Sequence, residues 1–210
     1  MKRREAIKNL SLGIGYIVSA PAVLGVLESC SKNTVPDWQS VFLSDGQKHV
    51  VGHLIDIILP ASDIPGGLDL NLPEFVDKMC ADLLTDTDKE AFNKGSELFE
   101  ADMRRERGKE AIQSDRKDIL ATFERHFKVD DSEQARIVNL QAKGAAGLAG
   151  EELDQYHLYR FLFVVREFAL LGFFTYERIG KEVLVFDPIP GGYKPCIPIS
   201  EVGNAWTIDP

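Results

Sequence analysis

The stretch from residue 158 to residue 171 would be apolar around most of a helix, and this constrains the fold more than any other feature. Three charged residues interrupt it, and at about 100° per residue Arg160 and Glu167 fall on one narrow edge with Arg166 beside it. A helix that is apolar on most sides has to be covered by other elements. The stretch is shorter than the ~18 uninterrupted apolar residues of a membrane span. We therefore predict a core helix, part of whose surface is covered by a second protein.

The rest of the chain predicts one helical domain, at residues 44–210, around this central C-terminal helix. Five further segments carry helical apolar spacing or helix caps: 44–59, 73–84, 86–107, 114–127 and 131–143. Gly172 is expected to end or bend the central helix. Only residues 183–186 are β-like, so the predicted fold class is mainly α with at most a minor β-hairpin.

Residues 1–29 are typical of an N-terminal export signal. Arg3 and Arg4 begin a twin-arginine-like pattern, and an apolar stretch follows them. The four residues that end at Cys30 resemble a lipobox, which predicts a lipid on Cys30 and attachment to the membrane. The alternative is a plain cleaved signal or an uncleaved N-terminal anchor. Residues 30–43 are predicted to be a tether, and we expect the protein in the periplasm or cell envelope.

Charge and motif content narrow the possible functions. Outside residues 1–29 the chain has 31 acidic and 20 basic residues, whereas nucleic-acid binding needs clustered lysine and arginine. We therefore expect no nucleic-acid partner. The sequence lacks G-x-S-x-G, a P-loop, H-E-x-x-H, C-x-x-C-H and a dinucleotide fingerprint. We expect no catalytic residues and no cofactor on this chain.

Three residues of the first predicted helix have a spacing that suits a metal site. His49, His53 and Asp56 lie at i, i+4 and i+7, opposite the apolar face. A metal-dependent enzyme that uses these three ligands is one alternative function. The simpler interpretation is a solvated polar face, because the sequence offers no fourth ligand. His126 stands alone on its helix and is expected at the surface.

The cysteines allow more than one arrangement. If Cys30 carries a lipid, Cys80 and Cys196 remain and are able to form one disulfide in an oxidising compartment. Cys196 can instead pair with a cysteine of a partner protein. In a third arrangement both are reduced, and Cys80 is buried as a small apolar residue.

Two blocks of the sequence carry a family resemblance. One consists of REFALLGFFTYERIG at residues 166–180, FDPIPGGYKPCIP at residues 186–198 and GNAW at residues 203–206. The other, IDIILPASDIPGGLDLNLPEFVDKM, lies at residues 55–79, and its Pro-Gly-Gly is typical of a turn with glycines available for positive φ. Together the blocks resemble the gluconate 2-dehydrogenase subunit 3 family, in the same order along the chain.

The resemblance implies a non-catalytic small subunit of a membrane-associated sugar or polyol dehydrogenase. Such a subunit would bind, stabilise and co-export a large subunit that carries FAD, and a cytochrome c subunit with haem c would accept the electrons. A free-standing exported lipoprotein with a structural or ligand-binding role is the alternative. Aromatic side chains dominate interface energies. The candidate partner contacts are the aromatic residues of the C-terminal block: Phe173, Phe174, Tyr176, Tyr193 and Trp206.

Overall fold

The computed structural model describes residues 35–184 together with Cys196, Pro198 and Ser200. This part of the chain is helical and contains no strand. Its elements in chain order are α1 (Asp45–Ile58), α2 (Leu72–Leu83), α3 (Asp86–Arg107), a 3-10 helix (Ala111–Gln113), α4 (Arg116–Phe127), α5 (Asp131–Lys143), α6 (Glu151–Thr175) and α7 (Glu177–Glu182). The mainly α fold class is confirmed. Val183 and Leu184 form a turn and bend after α7, and the rest of the β-like run lies outside the described residues.

Helix α6 packs against α1, α2, α3, α5 and α7. No helix of the described ranges combines the length and the apolar character that a membrane crossing requires. The sequence predicts that Gly172 ends or bends this helix, but the helix does not end there and continues to Thr175. A Cβ on Gly172 would lie 2.7 Å from Cδ1 of Phe75. The glycine therefore serves close packing of α6 on α2.

The most extensive helix pair is α3 with α6. Most of α3 is charged, but one stripe is buried and includes Phe92, Phe99 and Met103. The ring of Phe92 meets the ring of Phe161 edge-on, with centroids 5.0 Å apart. At Gly95 a Cβ would lie 2.0 Å from a backbone oxygen of α6. This glycine sets how closely the two helices approach each other.

Helix α1 begins where its local sequence predicts. Ser44 and Gln47 form a reciprocal capping box, which satisfies backbone donors at the helix N-terminus. Thr85 likewise caps α3. Helix α4 is capped by Asp115, one residue later than the sequence suggested.

Residues 35–43, predicted to belong to a free tether, form a strap on the domain. Trp38 and Leu43 are 9% and 5% exposed and belong to the core. The strap is held by the carboxylate of Asp77 on α2, which is fully buried. That carboxylate accepts five hydrogen bonds of 2.8–3.1 Å, donated by Trp38 Nε1, the Ser40 hydroxyl and the backbone N–H groups of Val41, Phe42 and Leu43.

Burial and hydrogen bonding act on Asp77 in opposite directions. Burial alone would raise the pKa of this carboxyl, but the hydrogen bonds from the strap outweigh it and hold the pKa below 3.8. Asp77 is therefore ionised, and both of its carboxylate oxygens accept hydrogen bonds from the strap. The tether prediction is wrong for residues 35–43, because they are packed on the domain and held by Asp77. Local sequence does not indicate this contact, since Asp77 lies more than 30 residues away along the chain.

Candidate partner-binding surface

The loop after α1 contains the glycine pair of the first sequence block. Its backbone is compact, since Gly67 N–H donates to the carbonyl of Leu59 at 2.8 Å and Gly66 N–H donates to the Asp69 carboxylate at 2.8 Å. A Cβ on Gly66 would lie 2.5 Å from the backbone nitrogen of Ala61. Neither glycine has a positive φ. They are needed for space rather than for the backbone freedom that the sequence suggested.

This loop adjoins the end of α6, so the two sequence blocks lie together in the fold. Gly172 of α6 faces Leu72 and Phe75 at the start of α2. The carboxylate of Asp69 lies close enough to Arg178 of α7 to contribute to raising the pKa of its guanidinium, after the larger effect of the Glu182 carboxylate. Residues more than 100 positions apart thus build one end of the domain.

Three large apolar side chains are exposed at this end. Leu171, Phe174 and Tyr176, which we call the α6 end surface, are 42%, 50% and 40% exposed. Leu171 and Phe174 are three residues apart, so they share one face of the helix. Phe173, which lies between them in sequence, is 7% exposed and belongs to the core. It is therefore wrong as a partner contact, and its ring supports that of Phe174 edge-on at 5.4 Å.

Helix α7, which begins directly after Tyr176, carries paired charges. Arg178 binds Glu182 at 2.8 Å and Lys181 binds Glu177 at 2.5 Å, all at helical i,i+4 spacing. These pairs are exposed, so each contributes little to stability. An apolar centre with a polar, charge-balanced edge is the arrangement found in protein–protein interfaces.

Residues 45–191 match the sequence model of gluconate 2-dehydrogenase subunit 3. The match covers most of the chain, beginning at α1 and including residues 55–79 and 166–180, which meet near the α6 end surface. The chain belongs to the gluconate 2-dehydrogenase subunit 3 family. No curated protein and no solved structure matches it. Membership of a dehydrogenase subunit family is consistent with an accessory role and makes a dehydrogenase partner plausible.

Several predicted sites of this family member lie outside the described residues. They are Arg3 and Arg4 of the export signal, the lipidation site Cys30, and the candidate contacts Tyr193 and Trp206. Of the three candidate contacts within the described ranges, Phe173 is buried, whereas Phe174 and Tyr176 are exposed. Leu171 belongs beside them and was missed, although its i,i+3 spacing to Phe174 could have indicated it.

His49, His53 and Asp56 form a junction between helices rather than a metal site. Asp56 accepts a hydrogen bond from Arg116 Nε at 2.5 Å, and His49 Nε2–H donates to the carbonyl of Ser114 at 2.7 Å. His53 and Asp56 are 8% and 6% exposed, so the solvated polar face is wrong. Across the described ranges, no group of three His, Cys, Asp or Glu side chains is placed to hold a metal ion.

Cys80 and Cys196 are both free in the structure, so the predicted disulfide is not formed there. Cys80 is fully buried in the core, and Cys196 is exposed. Burial, with a smaller effect from Asp77, raises the pKa of the Cys80 thiol to about 12. A thiol that stays protonated is inert as a nucleophile. Cys80 therefore serves as a small apolar residue.

A cleft of about 660 Å³ lies between α3, α4, α5 and α6. Its charged side chains are partly paired, since Arg105 binds Asp102 and Arg136 binds Glu133, each at 2.7 Å. The lining contains no serine or cysteine nucleophile beside a base. The cleft does not assemble a catalytic site of that kind.

Proposed function

We propose that this chain is the non-catalytic small subunit of a membrane-associated, gluconate-type sugar or polyol dehydrogenase. It binds and stabilises the large subunit, which carries FAD, and its export signal brings that folded subunit across the membrane. A cytochrome c subunit with haem c receives the electrons. The protein works in the periplasm or cell envelope, held to the membrane by a lipid on Cys30.

The observation that carries this proposal is the α6 end surface. Two aromatic side chains and a leucine are exposed on the end of a helix whose other large apolar side chains are buried or partly buried. Burying the exposed half of a side chain such as Phe174 stabilises a complex by about 1 kcal/mol. Because Phe173 and Gly172 fix the helix end in the core, little conformational freedom is lost when a partner binds.

The complementary part of the proposal concerns residues beyond the described ranges. Tyr193 and Trp206 belong to the same C-terminal sequence block, and we propose that they extend the contact area. The exposed Cys196 offers a thiol to the same partner. The absence of sequence motifs for FAD, NAD and c-type haem supports assigning the redox groups to the partner subunits.

The test is isolation of the tagged, full-length chain from its native membrane, followed by an absorption spectrum of the purified material. We expect a flavoprotein in the eluate, with flavin bands and, where the cytochrome subunit is retained, haem bands. A matched sample prepared with an unrelated tagged lipoprotein controls for membrane carry-over. A monomer that carries neither flavin nor a flavoprotein would contradict the proposal and favour a free-standing lipoprotein.

A further inference from the structure

Residues 109–128, which we call the α4 arm, comprise the 3-10 helix and α4 and have a small apolar anchor. Ile119 and Thr122 are the buried residues of α4, and Ala111 is the buried residue of the 3-10 helix. The arm packs on α1 and α3. It also meets α6, where the ring of Phe127 lies 6.3 Å from the rings of Tyr159 and Phe163, and Phe123 is partly buried against the core. An element with so few buried apolar side chains opens more easily than the core helices and depends on the polar contacts at its ends.

The first end of the arm is joined to α1 by a buried polar cluster. Arg116 Nε–H donates to Asp56 at 2.5 Å, and His49 Nε2–H donates to the Ser114 carbonyl at 2.7 Å. The ring of His53 lies edge-on to that of His49, with centroids 4.6 Å apart. The Nδ1 atom of His53 is buried and has no hydrogen-bond partner.

The second end of the arm is joined to α3 through His126. Its Nε2 lies 3.3 Å from a carboxylate oxygen of Asp102, but the two are not aligned for a hydrogen bond, and Nε2 is buried without a partner. Arg125 binds both Asp102 and Glu106. The hydroxyl of Tyr159 on α6 donates to the carbonyl of His126 at 2.7 Å.

Burial and the neighbouring charges together oppose protonation of His53. Burial is the largest effect and lowers the pKa of His53 below its ordinary 6.5, and the neighbouring His49 lowers it further. Asp56 acts in the opposite direction, Arg116 lowers the pKa again, and Asp115 raises it by the smallest amount. A proton on His53 is therefore less favourable in the folded protein than in the unfolded chain.

The same balance holds at His126. Burial lowers its pKa below 6.5, Arg125 lowers it further, Asp102 opposes these effects and Arg105 adds to them. A histidine whose folded pKa is depressed adds stability above the ordinary value of 6.5, and that stability is lost as the pH falls through 6.5 towards the folded pKa. Both ends of the arm thus weaken in the same direction on acidification.

We propose that the α4 arm is an acid-released element: protonation of His53 and His126 detaches its two ends from α1 and α3 while the other helices stay packed. The α3–α6 contact is centred on the rings of Phe92, Phe99 and Phe161. Helix α6 also carries one histidine, His157, whose Nδ1 is buried without a partner. Release uncovers the ring of Phe99, which lies 6.0 Å from that of His126. In the cell envelope, the location proposed above, this release would follow external pH.

The test is amide hydrogen exchange of the full chain, read by peptide at about pH 7.5 and pH 5.5 and corrected for the intrinsic exchange rates. We expect the opening equilibrium of peptides from 109–128 to rise about tenfold or more at the lower pH, with little change in α6. The double variant His53→Gln/His126→Gln removes both titrating groups and should abolish the rise.

The matched control is His157→Gln on α6, because burial also lowers the pKa of His157 but its side chain is not at the arm. This variant should keep the acid response. Where the double variant fails to fold by circular dichroism, NMR titration of the wild-type ring protons takes its place, and His53 and His126 should titrate over the pH range in which the arm opens. Unchanged protection of the arm at pH 5.5, equal loss in all helices, or an acid response retained in the folded double variant would overturn the proposal.

Discussion

Asp77, His53 and His126 are all buried polar side chains, but they differ in how completely they are hydrogen-bonded. Asp77 receives five donors, and its charge is stabilised by them. Each histidine keeps a ring nitrogen that is buried without a partner. A buried group whose bonds are all made fixes a segment, whereas one with an unmet bond makes the segment sensitive to conditions. The strap is therefore the firm attachment of this domain, and the α4 arm is the conditional one.

The largest expected effect comes from removing the firm attachment. Asp77→Ala leaves the strap donors, including Trp38 Nε1, without their acceptor, and should lower the free energy of unfolding by about 3–4 kcal/mol. Urea unfolding followed by tryptophan fluorescence measures this loss. The control is Asp82→Ala, an exposed carboxylate on the same helix, which should change stability by less than about 0.5 kcal/mol. Equal effects of the two variants would remove the distinction between strap and arm.

A smaller expected effect is on the pH dependence of the free energy of unfolding, which should arise at the α4 arm and not at the strap. Between about pH 7.5 and 5.5 the wild-type free energy of unfolding should fall by about 1–2 kcal/mol, since the unfolded chain then binds protons that the buried histidines resist. The depressed pKa of Asp77 keeps that carboxylate ionised throughout, because its contribution is lost only below 3.8. Glu100, whose pKa burial raises, acts in the opposite direction.

The pH dependence has a sharp control. Asp77→Ala should show the same fall between the two pH values as the wild type, shifted to lower stability, whereas His53→Gln/His126→Gln should show a smaller one. Urea midpoints measured at each pH give the comparison. A flat wild-type profile over this range would show that the histidine junctions carry no linked protons.

Local sequence was sufficient to predict the mainly α class and most helix starts. The capping box of Ser44 and Gln47 and the cap at Thr85 involve residues three positions apart, so the pattern contains all of the interaction. Distant contacts were not visible in the sequence. Asp77, which holds the strap, and Arg116, which binds the polar face of α1, both come from other elements. From sequence alone, residues 35–43 are therefore predicted to be a free tether and the histidine face to be solvated.

The error at Phe173 has a different cause. Taking Gly172 as a helix end left residues 173–176 as an undivided aromatic run, whereas the helix continues to Thr175. Extending the spacing of the buried Val165 and Ala169 by four residues reaches Phe173 and assigns it to the core, while Phe174 falls on the exposed side. Glycine here reports close packing with α2, and a single sequence does not distinguish that role from a helix stop.

The most direct measurement for the α6 end surface is copurification of the flavoprotein with Phe174→Ala/Tyr176→Ala, set against Ile112→Ala/Val138→Ala. The control pair is also large, apolar and exposed, at 58% and 54%, but lies on the 3-10 helix and α5. We expect the first variant to lose most of the copurifying flavin while keeping its helical circular dichroism, and the control to retain it. Undiminished flavin with Phe174→Ala/Tyr176→Ala, or equal loss in both variants, would contradict a partner-binding role for this surface.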